Sequence, residues 1–206
     1  MASGAAFWDR IAERYARKPV GDVPAYEHTL ERARAHLSPN DLVLEVGCGT
    51  GTTALKLAPA VGTLLASDLS ERMIAIARAK PEAAANPNVT FVRADLFDPR
   101  LDGTYDAVLA FSLLHLLDDL PAGLARIHGL LAPGGRLISK TVCLADFGRI
   151  WRVVVPAMRL VGLAPRVDFL GVAALDRRIE EAGFTILETG VFPQSPPARF
   201  VVARKA

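Results

Sequence analysis

Apolar positions recur along this chain with two different rhythms. Over the first forty residues the rhythm is helical. Phe7, Trp8, Ile11 and Tyr15 fall at helical spacing, with Asp9, Arg10, Glu13, Arg14 and Arg17 on the other faces. After a loop around Pro19–Pro24, Tyr26, Leu30, Ala33 and Leu37 mark a second helix, which Ser38-Pro39-Asn40-Asp41 stops with turn chemistry. From residue 42 short apolar runs alternate with helical stretches. Strands are predicted at Leu42–Val46, Thr63–Ser67, Val89–Arg93, Tyr105–Phe111 and Arg136–Val142. Helices are predicted at Thr52–Pro59, after a candidate Ser70 cap through Met73, Ile74 and Ala77, and from Leu113 to about Leu131. Such alternation requires a parallel sheet with helices on both faces.

Residues 145–172 interrupt the alternation. Trp151, Val154, Val155, Met158 and Val161 keep helical spacing, Arg152, Arg159 and Arg166 recur every seventh position, and Pro156 and Pro165 predict breaks. This insertion reads as a lid with an apolar inner face and a basic rim, as a helix lying on a membrane surface, or as an ordinary helical cover with a solvated arginine face. Val172–Ala182 resumes as a helix closed by Gly183. Phe184–Val191 and Phe200–Arg204 are strands whose connection, Pro193–Ala198, is too short for a parallel crossover. They form an antiparallel hairpin. The whole predicts one domain over 1–206, with 1–40 as an N-terminal helical cap and 145–172 as a lid or acceptor-pocket insertion.

Composition narrows the class. At 206 residues with 51% hydrophobic and 22% charged positions, and a mean hydropathy of +0.26, the chain buries a real core and is not disordered. A net charge of +2 makes a weak case for nucleic acid. The charge is unevenly spread, acidic over 41–135 and basic over 136–206. That suits a cationic ligand in the middle and an acidic or membrane-facing partner later, or reflects solvated surface alone. Cys48 and Cys143 make no disulfide framework. They follow strands separated by another strand, hence ~10 Å apart at ~4.8 Å per strand, too far to bond. No metal-ligand spacing is present, no secretory leader is visible, and every apolar run is cut short of the ~18 residues a membrane span needs. A soluble protein of a reducing, cytoplasmic compartment is expected.

The candidate chemistry sits at strand ends. Glu45-Val46-Gly47-Cys48-Gly49-Thr50-Gly51 puts three alternate glycines between a strand and a helix, where they allow a tight turn and let a ligand touch bare main chain. Asp68, at the end of the next strand, is placed to accept a ribose diol or to cap the following helix. Asp95, after the third strand, could take the exocyclic amine of an adenine, with Leu96 packed on the ring, or serve a turn. Glu45 beside the bend would sit badly near a pyrophosphate and better near an ammonium and a sulfonium. The Gly-x-Gly-x-Gly spacing and the helical preface also differ from a simple dinucleotide fold.

These residues resemble the signature loop of class I S-adenosylmethionine-dependent methyltransferases. Asp68, Ala94-Asp95-Leu96, Tyr105-Asp106-Ala107-Val108 and Leu131-Ala132-Pro133-Gly134-Gly135-Arg136-Leu137 match that family's later motifs in order and spacing, over about residues 40–142. Phe7-Trp8-Asp9 through Tyr15 is similar to the first helix of small-molecule members, including the quinone-biosynthesis branch. The resemblance implies a Rossmann-like α/β sheet of seven strands, order 3-2-1-4-5-7-6, the last antiparallel. It implies S-adenosylmethionine as cofactor, with S-adenosylhomocysteine as its product. Gly47, Cys48 and Gly49 would meet the methionine part, Asp68 the ribose and Asp95 the adenine amine. Leu69, Met73 and Leu96 would pack near the adenine. Phe111 and Ser112 would line the transfer site, Tyr15 would close over the methionyl end, and Lys18 would pair with its carboxylate.

His115, just past the fourth strand, is the candidate general base, since an unperturbed imidazole near pKa ~6.5 takes a proton near neutrality. The other reading is packing or capping. His28, His36 and His128 fall on helix faces and read as structural or solvated. The expected partner is a small-molecule acceptor, lipophilic or anionic, with peripheral membrane contact and no nucleic acid. A protein or tRNA methyltransferase, a non-catalytic S-adenosylmethionine-binding regulator and an NAD-dependent oxidoreductase are the competing readings.

Overall fold

The computed structural model describes residues 2–206. Its sheet is built from β1 (Leu42–Val46), β2 (Thr63–Asp68), β3 (Val89–Arg93), β4 (Tyr105–Phe111), β5 (Leu131–Val142), β6 (Phe184–Gln194) and β7 (Pro197–Lys205). The strand order is β3-β2-β1-β4-β5-β7-β6. The first five strands pair in parallel, while β7 runs antiparallel to both β5 and β6. The helices are α1 (Ala2–Arg17), α2 (Val23–Arg34), α3 (Thr52–Leu57), α4 (Glu71–Ala79), α5 (Pro81–Ala85), α6 (Leu120–Leu130), α7 (Trp151–Leu160) and α8 (Val172–Glu181).

Strand side chains alternate between faces, and here both faces are covered. Leu44, Val46, Val108, Ala110, Leu137 and Val201 pack with Leu124 and Ile127 of α6 and Leu175 and Ile179 of α8. Val43, Leu64, Ala107, Leu109, Ile138 and Phe200 pack on the other side with Leu30 and Ala33 of α2, Leu55 of α3 and Ile74 of α4. This double burial explains why β1 and β4 read as near-continuous apolar runs.

Four boundaries differ from the sequence reading, each for a local reason. The helix expected over Leu113–Leu131 is split into a 3-10 turn at Leu114–Leu116 and α6. Leu117 is extended, and Asp119 starts a new helix by accepting from Ala122 N (3.0 Å) ahead of Pro121. Asp22 does the same for α2, accepting from Ala25 N at 2.9 Å, so that helix begins earlier than Tyr26. β5 begins at Leu131, which pairs with Tyr105 before the register shifts around the Pro133-Gly134-Gly135 bend. The hairpin is longer than expected, with Gln194 paired to Pro197 across Ser195-Pro196.

Residues 145–172 are not one straight helix. α7 ends at Leu160, Gly162 takes a left-handed φ of +71°, and the chain runs back extended. It is tied down where Asp168 N donates to the His115 carbonyl (2.7 Å) and Ala145 N to the Leu170 carbonyl (3.0 Å). Among the described residues no helix is long and apolar enough to cross a membrane, and no group of His, Cys, Asp and Glu is placed to hold a metal.

Candidate active site

β1 delivers its chain at the edge of a crevice of about 1270 Å³ that runs over the carboxyl ends of the parallel strands. Three glycines turn the chain there, with φ of +70° at Gly47, +54° at Gly49 and +73° at Gly51. The bend is anchored to β2, because Cys48 N donates to the Ser67 carbonyl at 2.9 Å. A Cβ on Gly47 would lie 2.9 Å from Leu113, and one on Gly51 would lie 2.6 Å from the Phe91 ring. Gly49 is different: its nearest neighbour would be the Tyr15 ring at 3.9 Å. Its left-handed backbone favours glycine, and the crevice beside it stays open.

Asp68 faces that bend. Its Oδ2 accepts from Gly49 N (2.9 Å) and its Oδ1 from Ser70 N (2.8 Å). Burial raises its pKa, and the two N–H bonds partly offset that. Asp68 is not the helix cap that the sequence left open. Ser70 caps α4, its Oγ accepting from Met73 N at 3.1 Å. Asp95 makes a turn bond, accepting from Phe97 N at 2.8 Å, and lines the same crevice.

Most of the other expected residues meet here. Leu69, Met73 and Leu96 give apolar walls near the two carboxylates. Tyr15 closes the side toward α1, and its phenol is pushed up in pKa by burial and by Asp68. α1 is held in place where Asp9 Oδ1 accepts from Ser70 Oγ (2.5 Å) and Arg72 N (3.1 Å). Phe111, Ser112 and His115 line the opposite end. Ser112 has φ +54°, the only non-glycine with positive φ among the described residues, and its N–H donates to the Lys140 carbonyl (2.7 Å). Strained backbone of this kind concentrates at functional sites; no residue pattern in the sequence announces it.

His115 corrects one expectation. It is buried, its Nδ1 has no hydrogen-bond partner among the described residues, and burial pulls its pKa down to about 4. It is therefore neutral across the physiological range, rather than half-protonated near 6.5. Glu45 lies outside the crevice lining, fully buried, its carboxyl pushed up to about 8 by burial and by Asp68. That carboxyl is mostly protonated at pH 7, and its Oε2 has no hydrogen-bond partner among the described residues.

Two expected residues are not brought to the crevice. The Cys48 thiol is buried and 3.7 Å from the Gly49 carbonyl, with its pKa well above the ordinary thiol range, chiefly through burial. Lys18 follows the end of α1 and borders a separate shallow depression with Arg14 and Arg17. Of the residues expected in the lid, Trp151 stacks on Phe147 with ring centroids 5.2 Å apart and does not line the crevice. Arg159, Gly162 and residues 164–167 do. Arg10 also lines it and donates to the Gly162 carbonyl at 2.7 Å, joining α1 to that loop. Sequence spacing singled out Arg159 and Arg166, but the meeting of Arg10 with residue 162 spans 152 positions and has no local signal.

The strand order, the antiparallel β7, the glycine bend and the two strand-end carboxylates together define the class I methyltransferase fold. Residues 43–135 match a family model described as a methyltransferase domain. The chain is 37% identical over 146 residues to the biotin biosynthesis bifunctional protein BioCD of Bordetella avium, covering 68% of this chain and 30% of that protein. It is 33% identical over 141 residues to a demethylmenaquinone methyltransferase of Symbiobacterium thermophilum, covering 64% of this chain and 55% of that one. A solved structure of DhpI in complex with SAH superposes with a TM-score of 0.75 at 25% identity, covering 100% of this chain and 96% of that one. The chain has the fold and the signature motifs of the class I S-adenosylmethionine-dependent methyltransferases and is similar to relatives of the quinone-biosynthesis type. It spans about half or less of the length of the two curated relatives above.

The family's cofactor, S-adenosylmethionine, can be tested against this geometry. The left-handed bend at Gly47 and Gly49 leaves a main-chain cradle in which Gly49 has no atom but Tyr15 within 4 Å of a built Cβ. Asp68 keeps unused lone pairs toward the crevice after two N–H bonds, since each carboxylate oxygen accepts twice. Apolar Leu69, Met73 and Leu96 lie beside Asp95, as a flat base with one polar edge requires. The residues present fit the group.

Proposed function

We propose that the chain transfers the methyl group of S-adenosylmethionine to a small acceptor that is lipophilic or anionic. The observation carrying this reading is the bond from Gly49 N to Asp68 Oδ2, which locks the glycine bend and the nucleoside-end carboxylate into one wall of the crevice. When bound, S-adenosylmethionine supplies a methyl carbon made electrophilic by its sulfonium.

The chain's own residues would do the rest. Asp68 would accept the ribose diol and Asp95 the adenine amine, while Gly47 and Gly49 present main chain to the methionine part. Cys48 would contribute backbone only. Tyr15 and Trp8 would cover the site against water, and Phe111 and Ser112 would border the acceptor. His115 lines the acceptor end and is neutral, so it would position an acceptor hydroxyl or amine by a hydrogen bond rather than hold its proton. Such positioning supplies much of the rate in group transfer. The name of the Symbiobacterium relative, a demethylmenaquinone methyltransferase, supports a lipophilic acceptor. Arg10 and Arg159 on the crevice wall support an anionic group on it. Two free, buried thiols suit a reducing, cytoplasmic setting.

Calorimetric titration with S-adenosylhomocysteine and with NAD tests the cofactor class. Binding of the first alone is expected; tight NAD binding without the other would end the reading. For His115, the His115→Ala variant is expected to lower kcat about tenfold on a hydroxyl acceptor through loss of that hydrogen bond. The wild-type rate should show no inflection near pH 6.5, since the imidazole titrates near 4. Wild-type turnover by the variant would make His115 structural.

A further inference from the structure

α7 carries two apolar faces. Trp151, Val154 and Val155 are partly buried toward the protein. On another side Ile150, Val153 and Leu160 follow one another at three- and four-residue steps, with Ala157 between, and continue into Val161 and Leu163. This second stripe is open to solvent: Val153 is 70% exposed and Leu160 is 89% exposed, and Ile150, Val161 and Leu163 are also exposed. Single exposed apolar side chains are ordinary, but five in one continuous patch mark an interaction surface.

The neighbouring stripe of the same helix is basic. Arg149, in the turn just before the helix, and Arg152 and Arg159 on it stand beside the apolar one, all exposed, and none makes an ion pair among the described residues. Other surface arginines are paired, Arg72 with Glu13 and Arg166 with Asp118, although Arg14 and Arg17 of α1 are exposed without an ion pair among the described residues. An apolar stripe rimmed by unpaired cations on a ten-residue helix is the pattern of a segment that lies in a lipid headgroup layer. The patch is also continuous with the crevice: Arg159, next to Leu160, and Gly162, next to Leu163, belong to its wall.

We propose that α7 and residues 161–163 dock this protein on an anionic lipid surface, so that the crevice opens at the headgroup layer where a lipophilic acceptor resides. The purpose of the docking rests on the methyl-transfer reading; the docking itself does not. Lipid contact explains both halves of the stripe: apolar side chains enter the acyl boundary, and the arginines meet phosphates.

The test is co-sedimentation of the full chain with vesicles of phosphatidylglycerol mixed into phosphatidylcholine, against phosphatidylcholine alone. Wild type is expected to partition onto the anionic vesicles and fall off as salt rises. The double variant Val153→Asp/Leu160→Asp is expected to lose at least tenfold in partitioning. Arg149→Gln/Arg152→Gln is expected to lose at least about fivefold per arginine and much of the salt dependence. Both variants should bind S-adenosylhomocysteine like wild type, which shows that they fold. Three results would each overturn the docking: no binding of wild type to anionic vesicles, equal binding of the aspartate variant, or a wild-type dimer that the aspartate substitutions dissolve. Vesicle binding that survives while S-adenosylhomocysteine binding fails would sink the methyl-transfer reading alone.

Discussion

Two carboxylates and a few backbone angles carry most of what this site can do. Asp68 matters through acceptance: both of its oxygens take N–H bonds, one of them from the bend itself. Asp68→Asn puts an NH₂ group against one of those donors. We expect the Kd for S-adenosylhomocysteine to rise about tenfold or more, measured by calorimetry; an unchanged Kd would refute its role. The glycines are not equivalent either. Gly51→Ala meets a left-handed backbone, the Phe91 ring at 2.6 Å and Ala77 Cβ at 2.9 Å. It should lose about 2–4 kcal/mol of unfolding free energy. Gly134 has a similar φ of +74° but open space around it, so Gly134→Ala should lose only about 1–2 kcal/mol. Denaturant titration of the pair separates backbone strain from overpacking, and equal losses would remove the packing argument.

Between elements, one buttress stands out. Arg32 of α2 forks onto Glu188 of β6, Nε to Oε1 at 2.6 Å and Nη2 to Oε2 at 2.5 Å, and His36 Nε2 reaches Oε2 at 2.7 Å. The Arg32 bonds, aided by His36 and opposed by burial, hold the Glu188 carboxyl down at about 2. A depressed carboxyl contributes stability that is present above its unfolded pKa near 4.3 and lost as pH falls through about 2. Wild type should therefore lose stability between about pH 4.5 and pH 2 more steeply than Glu188→Gln, by urea unfolding at each pH. Parallel slopes would show that the cluster does not tie α2 to the sheet. The strands, the glycine bend and the final hairpin were legible in the chain, because each follows from local periodicity or from a connection too short to cross over. The break between Leu116 and Leu120 was also writable from Asp119 and Pro121, but apolar spacing alone bridged it into one helix.

Taken together, the crevice joins α1, the bend, the strand ends and the loop after α7, so a ligand there should stabilise the whole fold. At one hundred times its Kd, S-adenosylhomocysteine should add about 2.7 kcal/mol. For a chain of this size that is a rise of about 5–10 °C in Tm, read by thermal unfolding. A flat Tm at saturating ligand would mean that the crevice does not bind it in the folded state.

Local covalent geometry and apolar rhythm were enough to dictate the seven strands, their directions and the placing of Gly47, Gly49, Asp68 and Asp95 at strand ends. These features depend on neighbours in the chain and on a handful of connection rules. Burial and long-range meeting do not. That His115 is neutral to about pH 4, that Glu45 is protonated behind the bend, that Lys18 stays outside the crevice while Arg10 reaches residue 162, and that Ile150, Val153 and Leu160 face solvent all depend on which surfaces the packed elements hide from water. Desolvation and contact between distant segments exist only once the chain has closed on itself, so no stretch of residues could spell them out.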